Sequence, residues 1–319
     1  MQSISQIFLL IDVGASFIKV ASVDARTWQT VKIKQVPFPD FISSNKKFRE
    51  VSPQEVLNIF TNLLDEFISN EFQYLGILLS TQMQGFILCD LEGQALSNYI
   101  SWQDTRSNSA IAYLSKNEIQ RTGNELRPGM ALSNLFWLKE NNLLPETSYP
   151  VTIADFLIVN LAATEPRIHA TNAAAFGGFN LETMSWDEEI ITKLGLQKIN
   201  WPKLSDIDQA YTKLNWKGQE IPCYVSVGDQ QAALLGIGLK DKQLSINIGT
   251  GSQVSMLSTD LEYGDYQLRP FFKGQFLKTI THIPAGRALN VLFKLVTEMN
   301  DSKSPEEAWD YIQDSVADT

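Results

Sequence analysis

Histidine and cysteine are nearly missing from this chain. Its 319 residues hold two of each, His169 and His282, Cys89 and Cys223. That leaves no disulfide framework or cysteine metal cage, and it argues against a multi-histidine zinc centre. Positive charge is also short, with 26 Lys and Arg against 36 Asp and Glu and a formal net charge of -10. Such a balance argues against a nucleic-acid or anionic-membrane binder. A nucleotide is still admissible, because a few N–H groups, one lysine and Mg²⁺ neutralise phosphates locally. No apolar run approaches transmembrane length. The first residues, MQSISQIFLLIDVG, lack a charged n-region and pass straight from apolar residues into Asp12 and Gly14, so a strand is expected there rather than a signal peptide. What remains is 44% hydrophobic and 19% charged, the makeup of a soluble globular protein. The length suits two domains of ordinary size, and a cytoplasmic location is expected.

The stretch that organises the chain is VSVGDQQAALLGIGLKDKQLSINIGTGS, residues 225–252. A strand-like run meets Gly228 and Asp229, and a segment with helical spacing follows. A second strand-like run, Leu244–Ile248, breaks into Gly249-Thr250-Gly251-Ser252. An acid at a strand-to-helix turn can accept a proton from a hydroxyl. A glycine- and hydroxyl-rich turn offers N–H groups to phosphate. Together they suggest phosphoryl transfer to an alcohol.

The N-terminal part repeats the theme. The run Ile7–Ile11 reads as a buried strand, Asp12-Val13-Gly14-Ala15-Ser16 as a tight turn, and Phe17–Val23 as the returning strand with Lys19 just past the turn. Such a turn can handle phosphate and Mg²⁺ through Ser16, nearby amides and Asp12, or it can be an ordinary hairpin. Gln29–Pro37 is expected as a third strand. Ser52-Pro53 opens a helix with apolar residues at Val56, Ile59, Phe60, Leu63, Leu64 and Phe67. Tyr74–Leu79 is a strand leading into Ser80-Thr81-Gln82-Met83-Gln84-Gly85. Neutral amides at a strand end suit an uncharged polyhydroxylated ligand, or they solvate a corner. Ser101-Trp102-Gln103-Asp104-Thr105-Arg106 combines an apolar wall with directional hydrogen-bonding groups, as sugar sites do. It fits equally a structural Trp beside an Asp–Arg pair. Helices are expected over Asn134–Asn141 and from Thr152 through Leu161, and a small-residue turn over Thr171–Phe179. Beyond Ser252, strands at Gln253–Ser258 and Gln275–Ile283 flank a polar excursion, and helices are expected over Ala288–Val296 and Ser304–Ile312. The sum is an α/β pattern in which two similar halves each present a phosphate turn to the other.

With DVGASFIK at 12–19, STQMQG at 80–85, SWQDTR at 101–106, GDQQAALLG at 228–236 and NIGTGSQV at 247–254, the chain resembles the FGGY family of carbohydrate kinases. Within it, the sedoheptulokinase- and xylulokinase-like members are nearest, though Gln84 stands where xylulokinase-like members usually have His. The resemblance implies the actin-like ATPase (ribonuclease H-like) α/β fold, with a first, sugar-binding domain over 1–235 and a partial second, nucleotide domain over 236–319. It implies an ATP- and Mg²⁺-dependent kinase acting on a ketose, with Asp229 as general base. Gln82, Met83, Gln84, Trp102, Asp104 and Gln230 would line the sugar pocket. Gly14, Ser16, Lys19, Gly249, Thr250 and Gly251 would face the nucleotide phosphates, and Asp12 and Asp229 the metal. Family members are longer, and no later glycine-rich adenosine turn follows here. The alternative is therefore a truncated, catalytically weak sugar-binding or regulatory derivative. A homodimer, or a partner chain completing the second domain, would cover the unfinished sheet.

Overall fold

The computed structural model describes residues 5–107, 110–248 and 251–284, with a few isolated positions between 286 and 295. The expected helices over 288–296 and 304–312 lie outside the described residues, apart from those isolated positions. The N-terminal hairpin is β1 (Ser5–Val13) and β2 (Phe17–Asp24), followed by β3 (Thr30–Pro37). After α1 (Pro53–Phe67), β4 (Phe72–Thr81) returns parallel to β1. Later in the chain come α2 (Ile153–Ala162), β5 (Thr212–Trp216), β6 (Gln219–Cys223), β7 (Val227–Gly228) and α3 (Asp229–Gly236). The strands form one seven-stranded sheet ordered β5-β6-β4-β1-β2-β3, with β7 also paired to β4. Both β6 and β7 run parallel to β4.

Local chemistry explains the ends of these elements. The Ser52 side chain accepts from the Glu55 N–H and Pro53 stands in the first turn of α1, a cap worth about 1 kcal/mol. Thr152 caps α2 in the same way, accepting from the Asp155 N–H at 3.0 Å. Along β1 every second residue turns inward. Ile7, Leu9, Ile11 and Val13 are buried and meet Phe60, Leu64 and Phe67 of α1 and Phe156 and Leu157 of α2. Asp12 belongs to the opposite face, so the pleat that builds the core also sends this carboxylate away from it.

The second half holds a four-stranded sheet of β8 (Leu244–Ile248), β9 (Gly251–Ser258), β10 (Gln267–Pro270) and β11 (Phe276–Pro284), ordered β8-β9-β11-β10. Its antiparallel β8-β9-β11 succession matches the β1-β2-β3 succession of the first sheet. The polar excursion expected between 258 and 275 contains a strand instead. Leu268 and Arg269 of β10 are buried, and Leu268 joins the apolar cluster of Phe176, Phe179 and Leu181 in the first half. Residues Ala170–Ala175 are a short helix begun by His169, and the turn expected over Thr171–Phe179 falls in the later part of that stretch, at Gly177 with φ +87°. Strand β8 is an edge and leaves Leu244, Ile246 and Ile248 exposed. No helix among the described residues is long and apolar enough to cross a membrane.

Buried Asp155 ties α2 to the turn before β7. It accepts from the Ser226 N–H and the Thr152 hydroxyl, each at 2.8 Å. Removal from water outweighs these bonds and pushes its carboxyl up to about 7 from 3.8. Folded Asp155 therefore holds a proton that the unfolded chain has released, and its contribution to stability grows as pH falls from 8 toward 5. His169, buried and depressed, works in the opposite sense over the same range. Comparing wild type with Asp155→Asn isolates the carboxyl. Asparagine keeps the acceptor for Ser226 and donates to Thr152, so urea melts should show a variant at least as stable as wild type at pH 8. The relative advantage should vanish by pH 5.

Candidate active site

Parallel strands β1, β4 and β7 end side by side, and their registers bring the chemistry together. Asp12 pairs with Ser80 across β1 and β4, Val13 with Thr81, and Gly228 with Thr81 across β4 and β7. The carboxyl ends of parallel strands are where α/β folds place ligands. Here the ends deliver Asp12, the Gln82-Met83-Gln84 loop and Asp229 to one edge.

Asp12 accepts from the Ser80 hydroxyl at 2.8 Å and faces the Lys19 ammonium at 3.5 Å. Ser80 was not among the expected site residues, although the sequence placed it at the strand end. These groups form the polar end of a shallow groove of about 320 Å³ whose remaining wall includes Leu10, Leu78, Val227 and Ala232. Gln82 docks onto the first turn. Its N–H donates to the Val13 carbonyl at 2.9 Å and its side-chain amide to the Gly14 carbonyl at 3.3 Å. Gly14 closes the turn through its own N–H to Phe17, while Ser16 stands exposed at the tip. Gly249 and Thr250 lie outside the described residues, and Gly251 begins β9.

Asp229 opens α3 and is partly buried, with the Gln230 N–H donating to its Oδ1 at 2.7 Å. Loss of water pushes its carboxyl up to about 6 against that hydrogen bond. The charge of Asp12 pushes it further, and Arg269 pulls it back. Gly228 just before it is closely packed, since a β-carbon there would come within 2.5 Å of the Gln231 Oε1 and 2.9 Å of the Met83 sulfur. Met83 thus packs directly on the turn that carries Asp229. Three buried polar atoms near this turn have no protein partner: the Thr81 hydroxyl, the Gln231 Oε1 and the Tyr99 hydroxyl. Thr81 is paired in register with Gly228, and the Tyr99 phenol feels the Asp229 charge. Unpaired buried polar atoms are what a site for a hydroxyl-rich ligand or ordered water leaves behind.

Gly85 explains how Tyr99 comes so near. A β-carbon on it would strike the Tyr99 hydroxyl and come within 2.9 Å of the Ile100 carbonyl oxygen. Gly85→Ala should destabilise the protein by about 1–3 kcal/mol in thermal melts. Adding Tyr99→Phe should recover part of that loss, since it removes the nearest clash and an unpartnered hydroxyl together.

Two further expectations change in the structure. Asp104 is fully buried, and both its oxygens are occupied by Arg106, with Oδ2 also accepting from the Arg49 N–H at 2.8 Å. It holds the loop carrying Trp102 instead of offering a lone pair to a ligand, as the Asp–Arg pairing reading of this motif has it. Trp102 itself is 39% exposed. Gln230 is also engaged: Arg269 donates to its Oε1, and its amide donates to Ser255 at 3.0 Å and Thr279 at 3.4 Å. The sequence reading did not find Glu125, Arg127 or Arg269. Glu125 is completely buried, paired with Arg269 and approached by the Gln84 amide at 3.5 Å, while Arg127 reaches Gln84 Oε1 at 3.4 Å. Gln84 has φ +76°, a backbone state uncommon outside glycine, so the surrounding contacts hold it there.

Among the described residues, no three of His, Cys, Asp and Glu gather as a metal cage. Mg²⁺ is ordinarily held by one or two carboxylates together with substrate phosphates rather than by an all-protein cage. Asp12 and Asp229 supply two carboxylates, and their mutual repulsion is one that a cation between them relieves.

An α/β fold of two sheets, the second repeating the strand succession of the first, with acids at the strand ends, is that of the actin-like ATPase class. The chain belongs to the FGGY family of carbohydrate kinases, whose N-terminal-domain model matches residues 7–236. It is 31% identical over 173 residues to a glycerol kinase of Marinomonas sp. (strain MWYL1), covering 50% of this chain and 35% of that protein. It is 28% identical over 269 residues to glycerol kinase 2 of Saccharolobus solfataricus, covering 78% of this chain and 53% of that one. The fold is similar to a xylulose kinase from Rhodospirillum rubrum, with TM-score 0.81, 16% identity, and coverage of 96% of this chain and 66% of that one. It is also similar to the Plasmodium falciparum glycerol kinase with ADP, with TM-score 0.77, 20% identity, and coverage of 97% and 67%. The chain therefore spans about a third to a half of the length of these curated relatives.

Proposed function

We propose that the protein serves ATP-dependent phosphorylation of a ketose, with Asp229 as general base. The observation that carries this reading is the placement of Asp229: at the end of a parallel strand, partly withdrawn from water, with a carboxyl pushed up to about 6. A raised pKa makes a carboxylate a better proton acceptor near neutral pH. Asp229 takes the proton of the acceptor hydroxyl as that oxygen bonds to the γ-phosphorus and the bond to ADP breaks. Positioning and charge stabilisation supply the remainder of phosphoryl-transfer catalysis. Lys19, Ser16 and the amides after Val13 and Ile248 would face the phosphates. Asp12 and Asp229 would hold Mg²⁺, which when bound neutralises phosphate charge. Met83, Gln84 and Trp102 would line the acceptor pocket, in keeping with a neutral polyol of the xylulose or sedoheptulose kind. Glycerol is a competing acceptor because the sequence relatives are glycerol kinases.

A second reading is a sugar-binding protein without turnover, supported by the unpartnered Thr81, Gln231 and Tyr99 polar atoms, which a hydroxyl-rich ligand would satisfy. One experiment separates the two. The chain is incubated with ATP, Mg²⁺ and D-xylulose, sedoheptulose or glycerol, and ADP and melting temperature are followed. Acceptor-dependent ADP supports the kinase. A shift in melting temperature without ADP supports the binder, since a ligand stabilises only the state it binds.

A further inference from the structure

The residues Gly123-Asn124-Glu125 join the two sheets. The Gly123 carbonyl accepts from the Leu268 N–H at 2.9 Å, and Gly123 has φ +77°, with no room for a β-carbon against the Leu268 carbonyl. Asn124, at φ +54°, donates its amide to the carbonyls of Gly264 and Tyr266 at 3.0 and 2.9 Å. Glu125 completes the set by pairing with Arg269 of β10, and both side chains are almost wholly out of water.

Arg269 uses its remaining donors on two amides. One goes to Gln230 Oε1 and one to Gln267 Oε1 at 3.1 Å. Gln230 follows Asp229 directly, and its N–H is the hydrogen bond on the Asp229 carboxylate. On its other side Glu125 takes the Gln84 amide. A single buried ion pair therefore contacts both carboxamides near the proposed acceptor site, that of Gln230 through Arg269 and that of Gln84 through Glu125.

We propose that Arg269, anchored by Glu125, is a positioning residue of the phosphoryl-acceptor site, setting the orientation of Gln230 and Gln84 and thereby the seat of Asp229. The inference rests on the kinase reading above but concerns a residue of the second sheet that touches no reacting atom. It explains why a fully buried charge pair stands beside the site. A buried pair stabilises little over well-packed apolar residues, yet it fixes direction. A guanidinium reaches Glu125 and Gln230 together because it is planar and forked, which an ammonium is not.

The test compares wild type with Arg269→Lys and Glu125→Gln in the full 319-residue chain. Steady-state ADP formation and acceptor-dependent melting shifts are read with D-xylulose, sedoheptulose and glycerol. Arg269→Lys should lower kcat by about 10²-fold, the scale of a mispositioned reacting group, with KM for ATP unchanged. Its acceptor-dependent melting shift should shrink. A merely structural residue would lower the melting temperature of the free protein but leave kcat intact well below it. If Arg269→Lys is unfolded at the assay temperature, Glu125→Gln, which removes the anchoring charge and turns one of the two acceptors of Arg269 into a donor, should lower kcat in the same direction. Wild-type kcat and acceptor shift in a folded variant would overturn the inference alone. Neither turnover nor a melting shift in wild type would overturn the kinase reading, and this inference with it.

Discussion

Asp229→Ala lowers kcat by about 10²–10⁴ with the fold retained, the scale on which a general base contributes. The fold should survive because Asp229 sits at a helix start, has no ion-pair partner at contact distance among the described residues, and is bonded to the adjacent Gln230 N–H. Removing it also ends the repulsion with Asp12, so the variant's melting temperature should equal or exceed that of wild type. Lower turnover with unchanged or raised stability separates a catalytic carboxylate from a structural one. The comparison needs only coupled ADP kinetics and a thermal melt of the same two proteins. Near-normal turnover in a folded variant would remove Asp229 from the role.

Asp104→Ala has the opposite profile. The Arg106 guanidinium, almost fully buried, is held by Asp104 on two sides and by Glu50 on another. It also lies over the rings of Phe48 and Trp137, at 4.7 and 5.3 Å. Deleting Asp104 leaves much of this charge uncompensated away from water, at a cost of about 3–5 kcal/mol. Urea melts should show that loss directly. Activity at temperatures where the variant stays folded should fall far less than for Asp229→Ala, because Asp104 acts on the loop and not on the acceptor. Asp104→Asn should lose less stability, since it retains one acceptor oxygen for Arg106. A variant that keeps wild-type stability but loses acceptor affinity would return Asp104 to the sugar pocket.

These two aspartates mark how far the sequence could be read. The position of Asp229 was legible because it depends on local order: strand, glycine, acid, helix. The same holds for the Asp12 turn, for α1 with its Ser52-Pro53 start and for α2 with its Thr152 cap, all of which depend on residues a few positions apart. Asp104 was ambiguous because the Arg49 N–H it accepts from, and Glu50, which shares the Arg106 guanidinium with it, lie some fifty residues earlier, on a strand pairing that no local pattern announces. Glu125 and Arg269 are 144 positions apart, and each looks like an ordinary surface charge in its own surroundings. Strand β10 was hidden for a related reason. Gln267-Leu268-Arg269-Pro270 is polar in composition, and it is buried only because the Gly123-Asn124-Glu125 turn and the apolar cluster behind it supply the other wall. The positive φ of Gln84 leaves no trace in composition, since glutamine seldom adopts that conformation. Local chemistry is written in short spacing, whereas a buried ion pair is written only in the tertiary fold.

Phosphoryl transfer from ATP to a sugar hydroxyl at Asp229 would be visible by ³¹P nuclear magnetic resonance. The chain is incubated with ATP, Mg²⁺ and a ketose, and the phosphorus signals are followed over time. A phosphomonoester signal that grows in step with ADP, and that is lost with Asp229→Ala, is the predicted result. Equal ester formation by wild type and Asp229→Ala, or ADP accompanied only by inorganic phosphate, would contradict it.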